Sequence, residues 1–168
     1  MQQIDENSFL EFIENHKGIL RRVAQMYFYN YEDRKDLQQE IILQLWKSYS
    51  SFRGDSLRST WMYKVAVNTA ITYLKKEKRG MVLYYKDNLP DLVADEYTGE
   101  KDVQWRAFYQ AAQQLNQIEK ALVFYYMEGL SHKETASHLG ISEVNARVKL
   151  NRTKDKIQKI IKKLGYEF

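Results

Sequence analysis

A single proline, Pro90, stands in a chain of 168 residues, and only seven glycines accompany it. Globular chains carry on average roughly 7% glycine and 5% proline. Sheets joined by many tight turns draw on both, because their turns need backbone angles that other residues resist. A chain this poor in them is predicted to be all-helical. The glycines, Gly18, Gly54, Gly80, Gly99, Gly129, Gly140 and Gly165, fall beside the ends of apolar-periodic segments, where helices are expected to stop.

The periodicity agrees with that expectation. Phe9, Phe12, Ile13, Leu20, Val23 and Tyr27 recur at helical spacing over about residues 7–29. A second helix follows Asn30, with Leu37, Ile41 and Leu45 on one stripe and Ile42, Trp46 and Tyr49 beside it. Ser50 to Ser56 reads as a loop, and a third helix is expected from about Ser59 to Lys78. Residues 80–102 lose the helical period and hold Gly80, Pro90, Gly99 and six acids, the composition of an extended linker. Helical spacing resumes over 103–127 through Trp105, Phe108, Ala112, Leu115, Ile118 and Leu122. A short helix, a corner at Gly140 and one long helix complete the chain. The expected organisation is two small helical domains, 1–79 and 103–168, joined by an acidic flexible linker, 80–102.

Several chemistries are excluded at once. With no cysteine, the chain has no disulfide, thiolate metal site or cysteine nucleophile. His132 and His138 lie on different helix faces and His16 is isolated, so all three are taken as structural or surface residues. Asp36 and Glu40 are spaced like paired carboxylates but lack a third ligand, and the Glu-x-x-His pairs of helical carboxylate enzymes are absent. No catalytic residue, metal or cofactor is expected. No apolar run approaches the roughly 18 residues of a membrane span, and neither end reads as a secretory signal. A soluble, cytoplasmic protein without membrane insertion is expected.

Charge is distributed in blocks. Residues 41–79 carry +6 and residues 141–168 carry +5, whereas 1–40, 80–102 and 103–140 carry −3, −4 and 0. Two basic blocks around an acidic one fit two polyanion-binding modules, or two solvated helix faces.

Three motifs narrow this choice. Ser131 and Glu134 have capping-box spacing, Gly140 stands at a corner flanked by Leu139 and Ile141, and Ser142 is placed to cap the next helix. That is the spacing of a DNA-binding helix-turn-helix. On its second helix Ser142, Asn145, Arg147 and Lys149 are candidates for base or phosphate contact. The core stripe there runs Ala146, Leu150, Thr153, Ile157, Ile160 and Leu164; the basic face runs Asn145, Lys149, Arg152, Lys156, Lys159 and Lys163. In the third helix Lys64, Asn68, Thr72 and Lys75 form a polar face, with Phe52 and Trp61 nearby, an arrangement suited to stacking on unpaired bases. Phe52, Trp61 and Tyr63 equally suit a plain core. In the second helix Asp36, Gln39, Glu40, Leu43 and Trp46 form an acidic and apolar face that reads as a protein-binding surface.

Asp36-Leu-Gln-Gln-Glu-Ile-Ile-Leu-Gln-Leu-Trp46, Ser51-Phe-Arg-Gly-Asp55 and Trp61-Met-Tyr-Lys-Val-Ala-Val-Asn68 resemble sigma region two. Leu115 to Lys156, with Glu128-Gly-Leu-Ser at its centre, resembles sigma region four. The whole resembles the extracytoplasmic-function (ECF) group of sigma-70 family RNA polymerase sigma factors. The resemblance implies a promoter-specificity subunit with no catalysis of its own, whose partners are core RNA polymerase, promoter DNA and an anti-sigma factor. It implies that Asp36, Gln39, Glu40, Leu43 and Trp46 dock on core polymerase. Phe52, Arg53, Gly54, Asp55, Lys64 and Asn68, with Lys75 and Lys76 further along the same helix, would then melt and hold the minus-ten element. Ser142, Asn145, Arg147, Lys149 and Arg152 would read the minus-thirty-five element. The chain departs from the family at Val144 and Asn145, and it has Asn116-Gln117 where a proline pair is common. The alternative is a free-standing helix-turn-helix regulator with a sensing or dimerising N-terminal bundle.

Overall fold

The structure, a computed structural model, describes residues 5–52, 54, 57–80 and 100–166. Among these residues every regular element is a helix. The order is α1 (Glu6–Asn15), α2 (Lys17–Tyr27), α3 (Tyr31–Tyr49), α4 (Arg58–Gly80), α5 (Glu100–Ala112), α6 (Gln117–Met127), α7 (His132–Leu139) and α8 (Glu143–Lys163). They divide into two compact units, one drawn from Met1–Gln25 and Asn30–Leu89, the other from Met26–Tyr29 and Pro90–Phe168. Most of the acidic segment 80–102 lies outside the described residues; Gly80 closes α4 and Glu100 opens α5.

In the first unit α3 and α4 make the most extensive helix pair. Leu37, Ile41 and Leu45, one turn apart, are fully buried, and α4 opposes them with Met62, Ala66, Val67 and Ala70. The small alanines let the two helices approach closely, so each apolar side chain keeps its dispersion contacts. Leu74, one turn beyond Ala70, is only half-buried. Asn30 caps α3, its side chain accepting from the backbone N–H groups of Glu32 (2.8 Å) and Asp33 (3.4 Å). Glu32 and Asp33 in that first turn also suit the positive end of the helix dipole.

The segment expected as one helix over about 7–29 is two, α1 and α2, divided at His16. In a continuous helix the His16 N–H would bond the Phe12 carbonyl. Instead His16 Nδ1 lies 2.8 Å from that oxygen and the backbone N–H turns to Ile13 at 3.1 Å. The side chain thus takes the place of the ladder hydrogen bond. The segment expected as one helix over 103–127 is divided in the same way. Asn116 adopts an extended conformation and caps α6. Its Oδ1 accepts from the Glu119 N–H at 2.9 Å and its Nδ2 donates to Glu119 Oε1 at 2.8 Å. A capping asparagine closes the helix start that a proline serves elsewhere.

The second unit is built on α8, which packs against α5, α6 and α7. Ala146, Leu150, Thr153, Ile157 and Ile160 are its buried stripe, and the middle of α6 contributes the buried Leu122, Val123, Phe124 and Tyr125. Leu164, expected in that stripe, is half-buried at the helix end. Of the apolar residues expected over 103–127, Ala112, Leu115 and Leu122 are buried, Phe108 is half-buried and Trp105 and Ile118 stay exposed; Ala107 and Ala111 are buried as well.

Candidate functional site

The first candidate surface is the outward side of α3. At about 100° per residue, Asp36, Gln39 and Leu43 point away from the buried Leu37–Ile41–Leu45 stripe. Asp36 and Gln39 are exposed, and Leu43 keeps 44% of its surface open to solvent. Glu40 is partly covered and accepts from Gln44 Nε2 at 3.0 Å. Trp46 is placed differently. It is half-buried on the flank of the helix, and its ring meets Phe9 of α1 edge to face at 4.9 Å. Trp46 is therefore both a wall of the α1–α3 core and the rim of the outer face.

Trp46 belongs to an aromatic group that leads to the second surface. Phe9 also meets Tyr49 edge-on, Phe12 packs by Tyr49 and Trp61, and Phe52 lies 5.2 Å from Trp61. Phe52 and Trp61 are both half-buried, so each has one side packed on the core and one side open. Both rings thus contribute to the core while part of each stays accessible. Beside them Lys64, Asn68, Thr72 and Lys75 project from α4 opposite its buried residues, all exposed, with exposed Lys76 at the edge of the row. Gly54 in the preceding loop has φ +78, a left-handed conformation that a side chain would strain. Arg53 and Asp55 lie outside the described residues. A half-open aromatic pair next to a basic row suits a single-stranded polyanion with flat bases.

The third surface is on α7 and α8. Both hydrogen bonds of the capping box are formed: the Glu134 N–H donates to Ser131 Oγ at 3.1 Å, and the Ser131 N–H donates to Glu134 Oε2 at 2.9 Å. Gly140 takes φ 68 and ψ 34, the left-handed corner, and the Ile141 N–H closes it on the Ala136 carbonyl. Ser142 then caps α8, its Oγ accepting from the Asn145 N–H at 3.1 Å. The corner is supported from below by Tyr125, whose ring meets His138 edge-on at 5.1 Å. Burial raises the Tyr125 phenol well above its ordinary pKa, so it stays neutral.

Ser142, Asn145, Arg147, Lys149 and Arg152 are all exposed, yet they do not share one face. Asn145, Lys149 and Arg152 line one flank, and Arg147 projects from the other, about 200° around the helix. Further along, the flank of Arg152, Lys156, Lys159 and Lys163 borders a cleft of about 500 Å³ whose other lining residues include Gln114 and Asp155. Lys156 is held there by Glu119, and Lys154 lies 3.6 Å above the Tyr126 ring, so neither is a free cation. Between the two basic flanks, opposite the core, stand Val144 at 61% exposure and Val148 at 38%. Sequence reasoning passed over their outward placement, although a valine pair out of phase with Ala146 and Leu150 was there to signal it.

Among the described residues no group of three or more His, Asp or Glu could hold a metal ion, and no helix is long and apolar enough to cross a membrane.

Comparison with known proteins matches two regions of the chain in succession. The family model of sigma-70 region 2 matches residues 12–80, and that of sigma-70 region 4 matches residues 105–157. The RNA polymerase sigma-H factor of Pseudomonas aeruginosa is 23% identical over 176 aligned positions, covering 98% of this chain and 91% of that protein. The ECF RNA polymerase sigma factor SigM of Mycobacterium tuberculosis is 27% identical, covering 96% and 80%. In fold, the chain is similar to the sigma factor RpoE of Bartonella quintana, solved in complex with the anti-sigma factor NepR. That likeness has a TM-score of 0.68 at 18% identity, over 90% of this chain and 97% of the other. Two regions of one family, in their proper order and spanning most of the sequence, establish that the chain belongs to the sigma-70 family as an ECF-type sigma factor that directs RNA polymerase to promoters.

Proposed function

We propose that the three surfaces divide the work of promoter recognition. The outer face of α3, through Asp36, Gln39, Glu40, Leu43 and Trp46, docks on core RNA polymerase. Phe52, Arg53, Gly54, Asp55, Lys64, Asn68, Lys75 and Lys76 take the melted minus-ten strand, with Phe52 and Trp61 as its stacking floor. Ser142, Asn145, Arg147, Lys149 and Arg152 read the minus-thirty-five duplex. The working division is residues 1–79, a connector over 80–102, and residues 103–168. The chain performs no catalysis of its own and works in the cytoplasm. An anti-sigma protein is a further partner, as the complex of the Bartonella quintana relative suggests by analogy.

The observation that carries this reading is the contrast between the two basic surfaces. One adjoins a half-open aromatic pair, which suits unstacked bases. The other is a single helix standing behind a capped left-handed corner, which suits the major groove of intact duplex. The test is a matrix of variants against duplex upstream DNA and pre-melted minus-ten DNA, with core polymerase present and salt fixed. Arg147→Ala and Lys149→Ala should weaken duplex binding by about 1–3 kcal/mol per lost base contact and spare the pre-melted fragment. Asn68→Ala should do the reverse. Equal effects on both fragments would overturn the division, and failure to assemble with core polymerase would favour a free-standing regulator.

A further inference from the structure

From the outward placement of Val144 and Val148 we infer that α8 reads thymine by its 5-methyl group, with these two valines forming an apolar contact strip on the floor of the major groove. The inference rests on α8 being the recognition helix.

The two valines are one helical turn apart and lie in the first two turns of α8, the part of such a helix that reaches base edges. Each stands about 160° around the helix from buried Ala146, and they stand only about 40° from each other. Nothing in the fold requires an apolar side chain at either place. Val144 is more open to solvent than any other large apolar residue of α8, and Val148 follows it. Valine is also a weaker helix former than the lysine, arginine or glutamine that usually fills an exposed position.

The surroundings point to the ligand. Lys149 projects on one side of the strip and Arg147 on the other, both exposed. A helix seated in a groove about 12 Å wide meets phosphates at both walls and base edges at the floor. Cations at the flanks and an apolar centre match that pattern. Of the four bases, only thymine offers an apolar group to the major groove, its C5 methyl. Valine suits this contact because its branched side chain is stiff about χ1, so little rotamer freedom is lost on binding. Asn145, beside Val144, is of the residue type that pairs with adenine N6 and N7, the partner edge of an A·T pair.

The test uses the full chain assembled with core polymerase. Duplexes enriched from a randomised upstream pool are resynthesised with uracil in place of each thymine in turn. Uracil keeps the pairing and the O4 acceptor and lacks only the methyl group. At one or two positions the wild-type protein should bind the uracil duplex about fourfold more weakly, the effect of one buried methyl group. Val144→Ala and Val148→Ala should each bind thymine and uracil duplexes alike at one such position. Val144→Thr, which keeps one γ-methyl group at the reach of the original side chain, should preserve the preference. Melting temperatures should be unchanged, since both side chains are exposed. The inference is overturned if no uracil substitution weakens the wild type, if the alanine variants keep the full preference, or if the enriched element contains no thymine on either strand. Failure of the underlying reading looks different: Arg147→Ala and Lys149→Ala would then leave duplex binding untouched, or no upstream element would be enriched at all.

Discussion

Lys156 Nζ lies 3.0 Å from Glu119 Oε2 and 3.1 Å from Oε1, tying the middle of α8 to the first turn of α6. The pair spans 37 residues of sequence and removes one cation from the basic flank that also carries Arg152 and Lys159. Replacing Glu119 by glutamine should release that charge. Non-specific duplex binding by the full chain should then show a steeper salt dependence, by about one unit in the slope of log affinity against log salt. An unchanged slope would mean that Lys156 already meets phosphate. The stability cost should be small, since a partly exposed pair contributes at most about 1 kcal/mol.

The capping box at Ser131 and the corner at Gly140 set the angle between α7 and α8. Ser131→Ala removes the acceptor of the Glu134 N–H and should lower stability by about 1 kcal/mol. Gly140→Ala places a Cβ on a left-handed backbone, at a cost of about 1–2 kcal/mol, although no neighbouring atom lies in its way. Chemical denaturation followed by circular dichroism measures both. A neutral result at Gly140 would show that the corner relaxes to another conformation.

Leu43 and Trp46 should separate in their effects. Leu43 is exposed on the outer face of α3, so Leu43→Ala should weaken binding to core polymerase about tenfold or more, the scale of an interface anchor, with no loss of thermal stability. Trp46→Ala should weaken the same binding and lower the melting temperature as well, because its ring is packed on Phe9. Titration with core polymerase alongside thermal melts distinguishes the two. Should Leu43→Ala bind normally while keeping its fold, the docking face lies elsewhere.

Phe52 should act on bases and Trp61 on both bases and fold. Phe52→Ala removes the outer ring of the stack and should reduce affinity for pre-melted minus-ten DNA by about 1–3 kcal/mol, leaving duplex binding alone. Trp61→Ala also withdraws a ring from the group containing Phe12 and Tyr49, and should destabilise the first unit. Fluorescence anisotropy with a labelled single strand reads the first effect and thermal melting the second. Loss of stability without loss of strand binding in Trp61→Ala would make that ring plain core.

Much of this protein was legible because the relevant interactions are local. Ser131 and Glu134, Gly140, and Ser142 with Asn145 act within one helical turn, so their spacing is enough to place two helices and a corner. The stripes Leu37–Ile41–Leu45 and Ala146–Leu150–Ile157 follow from the helical period alone and emerge buried. The breaks at His16 and Asn116 are local as well, but each depends on a side chain bonding nearby backbone in place of the continuing helical ladder. Other properties are not written in any short window. That Trp46 leans on Phe9 and that Glu119 captures Lys156 depend on which helices come to lie beside one another. A helical period assigns residues to faces; only the packed neighbours decide which polar face is spent on the protein itself and which remains open to DNA.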